Sequence, residues 1–230
     1  PWKGGMSVEM IVKSARLEKQ AVDDQELALI NAQTLRDFGA DEVYTFRLLA
    51  CDNRVDRDYE RFTDATLEQL AALYVGRPVL RDHSWSAGMQ TARCYAASVE
   101  PDGDAKCLVL RCYMPRTDAT ADTITAIDAG ILRECSVGCA VAHAVCSICG
   151  ADQRETLCKH YPGRKYDGQL CHIDLDGATD AYEVSLVAVP AQPAAGALKS
   201  KRYGGAEPPE NPPATDWTAA AALEIEKNRF

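Results

Sequence analysis

The chain has 230 residues, 47% of them hydrophobic, enough for one domain of ordinary size carrying a tail or an insert. Its 25 basic and 34 acidic residues leave a formal charge of −9, which argues against nucleic acid as a partner, because binding to phosphate backbones relies on clustered Lys and Arg. The longest apolar runs, such as Val184 to Val189, fall far short of the roughly 20 residues that span a bilayer, so no membrane association is expected.

Residues 1–22 mix charges with little periodicity and predict a loose, flexible or extended start. A folded region is expected over 23–198. Asp23 and Asp24 precede Leu27 and Ile30, with Leu35 beyond, in the pattern of a short helix with acids at its start. Glu42 to Ala50 is rich in aromatic and β-branched residues and reads as a core strand, and the charged stretch Asp52 to Phe62 as a solvated connection. Thr63 or Asp64 caps a second helix with Leu67, Leu70, Leu73 and Tyr74 on one stripe, ended by Gly76 and Pro78. Two strands over 91–100 and 106–114 flank Asp102-Gly103, a hairpin signal, and a third helix over 118–130 places Ile124, Ile127 and Ile131 three to four apart.

The short run Glu134 to Val141 reads as a strand whose alternation sets Ser136 and Gly138 on one face and Val137 and Cys139 on the other. A serine hydroxyl is a poor nucleophile unless a base takes its proton. Of the four histidines, His143, His160 and His172 lie in or beside a cysteine-rich stretch, which leaves His83, at the end of the apolar segment Pro78-Val79-Leu80, as the separate candidate base. On pattern alone a serine in such a strand is most often just a small polar strand residue, and Ser136 reads first as that. Ala181 to Val189 is the strongest strand of the sequence; Glu183 near its start is either a surface residue at the strand end or an acid that orients His83. From 199 onward Pro, Ala, Glu and Gly dominate, so a flexible tail is expected over 199–230, with a short helix near Trp217 to Lys227.

Ten cysteines with no readable secretory signal point to reduced thiols or metal ligation inside a cell rather than to a disulfide framework. Residues 145–172 concentrate the metal-ligand spacing: Cys146-x2-Cys149, then Cys158-x-His160, then Cys171-His172. Structural zinc takes four Cys or His donors in a tetrahedron, and a C-x2-C turn supplies two of them. The segment is rich in Gly and Pro and has little core of its own, so a staple suits it. Zinc held by Cys146, Cys149, Cys158 and either His160 or Cys171 is expected; reduced thiols in an irregular loop are the other reading. No acid stands poised beside these ligands as a general base, so the metal is expected to be structural, with no cofactor for catalysis.

Asn53-Arg54-Val55-Asp56-Arg57-Asp58 with Glu60-Arg61-Phe62, His83 in Leu80-Arg81-Asp82-His83, Glu134-Cys135-Ser136-Val137-Gly138, and Glu183 to Pro193 together resemble the prohead maturation proteases of tailed bacteriophages. The resemblance spans about 25–198 and rests on the order and separation of these motifs. It implies an α+β fold like that of the herpesvirus assemblins, with a mostly antiparallel, barrel-like β-core ringed by a few helices. It implies a serine endopeptidase that trims phage scaffold or major capsid protein segments, and itself, inside the procapsid within the bacterial host cytoplasm, with an oligomer compatible. By position Ser136 is then the nucleophile, His83 its base, and Glu183, or Asp180 as substitute, the orienting acid. The insert between Ser136 and Glu183 departs from the shared core and leaves the oxyanion donors unassigned. The alternatives are a procapsid component of the same fold that has lost catalysis and binds a partner through the insert, and a zinc-binding interaction module of other ancestry.

Overall fold

The computed structural model describes residues 11–20 and 22–188; for 11–20 it describes the backbone alone. The tail from 199 and the helix expected near Trp217 lie outside these residues. The elements run β1 (Ile11–Gln20), α1 (Asp24–Asn31), β2 (Val43–Asp52), β3 (Glu60–Phe62), α2 (Asp64–Tyr74), β4 (Pro78–Arg81), β5 (Ala92–Asp102), β6 (Ala105–Pro115), α3 (Asp118–Asp128), β7 (Glu134–Cys146), β8 (Lys165–Tyr166), β9 (Gln169–Leu170) and β10 (Ile173–Leu186). The leading segment expected to be loose therefore contains a strand, β1, which pairs antiparallel with both β2 and β7.

Eight strands form one sheet in the order β3-β10-β4-β5-β6-β2-β1-β7, and β10 also pairs with β7. The pairings of β10 with β3 and β4 are parallel and the rest are antiparallel, so the sheet is mixed. With three α-helices among the described residues, the class is α+β, as expected. The β5–β6 hairpin closes at the predicted place, where Gly103 takes the left-handed φ of 66° that a two-residue turn requires.

Helix α2 fixes one side of the sheet. Thr63 caps it, accepting from the Thr66 N–H at 3.2 Å while its own hydroxyl donates to Asp176 of β10 at 2.7 Å. The helix buries Leu67, Leu70, Ala71 and Tyr74, and the Tyr74 hydroxyl donates to the Gly138 carbonyl of β7 at 2.9 Å. One end of α2 is thus tied to β10 and the other to β7. The main core gathers Phe46, Leu48, Phe62, Leu108, Leu110, Val137 and Val184 around this helix.

Two residues of the expected helical stripes are exposed, Leu35 and Ile131. In the first case the helix stops at Asn31, whose side-chain amide exchanges hydrogen bonds with the Phe38 backbone and turns the chain before Leu35. In the second, Gly130 takes a φ of 68° and ends α3 short of Ile131. The charged stretch 52–62 is more ordered than a solvated connection. Asp56 is buried and accepts from the N–H groups of Asp58 and Glu60, each at 2.9 Å, and the stretch closes on β3.

Leu67→Ala should lower stability by about 3 kcal/mol, as expected for a large-to-small change at a fully buried position. Ile131→Ala, at a position the sequence pattern counts as equivalent, should change it by less than about 0.5 kcal/mol. Urea denaturation of the two variants beside the parent measures both.

Candidate functional site

Strand β4 carries the chain from buried Val79 and Leu80 into a turn in which Asp82 and His83 adopt left-handed φ values of 51° and 52°. Two successive non-glycine residues in that region cost about 1 to 3 kcal/mol each, so the surroundings must impose the turn. They do so through β10. The Asp82 N–H donates to the Leu186 carbonyl at 3.0 Å and the His83 N–H to the Ser185 hydroxyl oxygen at 3.0 Å. The imidazole is thereby folded back onto β10, with Nδ1 2.8 Å from Glu183 Oε1.

Glu183 has no solvent exposure, and both its oxygens are engaged: Oε1 by His83 and Oε2 by the hydroxyl of Ser185. In the β7–β10 ladder Glu183 faces Gly138 and Ser185 faces Ser136. Directly opposed residues of an antiparallel pair share a face, with Cβ atoms about 4.5 to 5.5 Å apart. Ser136, Ser185 and Glu183 therefore lie on one face, as the predicted alternation of β7 requires, while Val137, Cys139, Val184 and Leu186 join the core on the other. Two polar atoms of this cluster stay open. Ser136 Oγ and His83 Nε2 are buried and have no hydrogen-bond partner among the described residues.

The structure thus joins His83 to Glu183 directly and sets Ser136 across the ladder from Ser185, the residue that touches both. Asp180, the substitute acid, is instead held by Arg77 at 3.1 Å. Ser185 had no role in the sequence reading. The available signal was the alternation Glu183-Val184-Ser185, which puts a hydroxyl on the face of the carboxylate.

A second cluster lies where β7 leaves the sheet. Cys146, Cys149, Cys158 and His160 bring one donor atom each to within 4.8 Å of one another. Tetrahedral zinc with thiolate bonds of about 2.3 Å sets its donors about 3.8 Å apart, so the group could hold a metal with small adjustments. Cys171 is buried with its sulfur 3.9 Å from that of Cys146, on the rim of the same group. The His160 N–H, helped by the Gln153 amide at 2.9 Å and the thiols of Cys146 and Cys149, holds the Cys158 thiol down at about 6, close to its ligating form. Burial, and then Cys146, push Cys171 up to about 11. His160 Nδ1 is buried and has no partner among the described residues, a ring nitrogen free to ligate. Asp152 braces the approach: its carboxylate takes the Ala144 and Arg154 N–H groups and pairs with His143 Nδ1 at 2.7 Å, which accounts for that histidine outside the donor group. No disulfide forms among the described residues.

No protein-family model, curated protein or solved structure matches this chain. Among the described residues no helix is long and apolar enough to cross a membrane.

The two serines of the first cluster should respond oppositely to truncation. Ser185→Ala strands a buried carboxylate oxygen and the His83 N–H and should cost about 2 kcal/mol. Ser136→Ala removes a buried hydroxyl that satisfies nothing and should be neutral within about 0.5 kcal/mol or stabilising. Thermal and urea unfolding of both variants distinguish these outcomes.

Proposed function

We propose that the chain is a serine endopeptidase of the phage prohead kind, acting on scaffold and major capsid protein segments, and on itself, in the procapsid inside the bacterial host. One observation carries the reading. His83 is held at Nδ1 by a fully buried carboxylate, and its Nε2 and the Ser136 hydroxyl are the open polar atoms of a single cluster. A hydroxyl left unsatisfied in the interior contributes nothing to folding, and such atoms are concentrated where chemistry needs them. The barrel-like core belongs to the same proposal. The circuit of pairings from β10 through β4, β5, β6, β2, β1 and β7 back to β10 supports it.

In this mechanism the Ser136 oxygen attacks the scissile carbonyl carbon while His83 Nε2 takes the hydroxyl proton. Glu183 fixes the tautomer with its proton on Nδ1 and stabilises the imidazolium that forms. The C–N bond breaks, the departing amine takes the proton from Nε2, and an acyl ester remains on Ser136. Water then attacks that ester with His83 again as base, releasing the acid and restoring the hydroxyl. Ser136 is 2% exposed, so access of a peptide carbonyl requires local opening around it. Ser185 is a positioning residue: it orients Glu183 and anchors the His83 backbone, and it does not touch the substrate.

The insert is, on the same reading, stapled by structural zinc through Cys146, Cys149, Cys158 and His160, with Cys171 as the neighbouring thiol. The metal would hold a turn-rich segment in one shape.

Incubated with procapsid-type substrate, the parent chain should yield fragments by mass spectrometry, and Ser136→Ala should reduce their formation by at least about a thousandfold. Cleavage that survives the substitution would sink the assignment; no fragments from either chain would favour a procapsid component without catalysis. Metal analysis should return one zinc per chain. Chelation should then expose sites within 145–172 to limited proteolysis while leaving β5 and β6 protected, and an unchanged digestion pattern would remove the staple.

A further inference from the structure

A tryptophan stands in water beside the His83–Glu183 pair. Trp85, two residues beyond His83, is 65% exposed, and Met89 in the same connection is 43% exposed. The Trp85 ring leans on Tyr182, the residue before Glu183, with centroids 5.9 Å apart and planes 57° apart. The ladder explains how Tyr182 comes to be there. Between Ala181 and Glu183 the β7–β10 register slips, leaving Tyr182 as the extra residue of a bulge opposite Gly138, and a bulge re-aims the side chain at which it occurs.

We infer that Trp85 and Tyr182 wall a substrate subsite that takes a large apolar side chain, aromatic above all, close to the scissile bond. The inference rests on the endopeptidase reading and names its substrate class. Water-exposed Trp is costly for a fold and typical of recognition surfaces, where it supplies rigid apolar area at small entropic cost. The two rings offer a ligand a wall of apolar area, and the occupant is taken to be an uncharged apolar residue of the peptide. Continuity with the catalytic cluster separates this patch from the other exposed apolar residues: Trp85 shares the His83 connection, and Tyr182 is bonded in sequence to Glu183. If the contact were only a clasp for the His83 turn, removing it would slow all substrates alike.

The test compares paired peptides that differ by Phe or Ala near the cleavage site, using the full chain. The parent should favour the Phe peptide in kcat/KM. Trp85→Ala should lower that Phe-to-Ala ratio about tenfold to a hundredfold and Trp85→Phe should restore most of it, whereas Leu157→Ala, exposed on the insert, should leave the ratio as it is. A ratio unchanged by Trp85→Ala, including an equal loss for both peptides, overturns the subsite and leaves the endopeptidase reading standing. Absence of fragments from the parent overturns that reading instead. The subsite is then judged from the Trp85 indole N–H resonance of the Ser136→Ala chain, assigned with Trp85→Phe. A shift caused by the Phe peptide and not by the Ala peptide supports it, and an unmoved resonance overturns it.

Discussion

The burial of the Glu183 carboxylate is the constraint on which the arrangement turns. An isolated carboxylate with no solvent access would take up a proton or keep the strand out of the sheet, since the interior cannot replace its hydration. Here one oxygen meets the imidazole of His83 and the other the hydroxyl of Ser185, while Ser185 also receives the His83 backbone N–H. Three residues thus satisfy one another. The reciprocal bonding compensates for the strained φ values at Asp82 and His83, and it works because β10 is flanked by β4 on one side and β7 on the other.

Strands β7 and β10 are unusually long for a domain of this size, 13 and 14 residues, and they serve different ends. One end of the pair holds the serine and the carboxylate. The other supports the cysteine-rich segment, whose donor group sits where β7 leaves the ladder. Between them β10 carries three aspartates that would weaken an ordinary strand. Each is answered across the fold: Asp174 by Arg61, Asp176 by Thr63 and Asp180 by Arg77. The acidic middle of the strand is therefore a docking rail for the β3–α2 segment.

Much of this was legible in the sequence wherever local chemistry and tertiary environment agreed. The cap at Thr63, the turn at Gly103, the alternation of Ser136 and Gly138, and the C-x2-C pair all encode their structure within a few residues. Where partners were remote, the reading stopped short. Strand β10 begins at Ile173, eight residues before the expected Ala181, because its aspartates and Gly177 have poor strand propensity and acquire their partners only in the fold. Strand β1 mixes charges with little apolar period, and is defined by the two strands it joins. Ser185 was hidden because hydrogen bonding to a residue a hundred positions away leaves no mark in sequence spacing.

The register of the long ladder also bears on how such a chain can change over evolutionary time. Cys146 and Ile173 are paired neighbours, so the 26 residues between them start and finish at adjacent points on the sheet. Ten rungs of about 3.3 Å each separate Cys146 from Ser136 along β7. Lengthening, shortening or exchanging what lies beyond Cys146 therefore requires only that two adjacent strand ends be rejoined. That junction is a socket: the sheet holds the serine and the carboxylate at one end and tolerates novelty at the other.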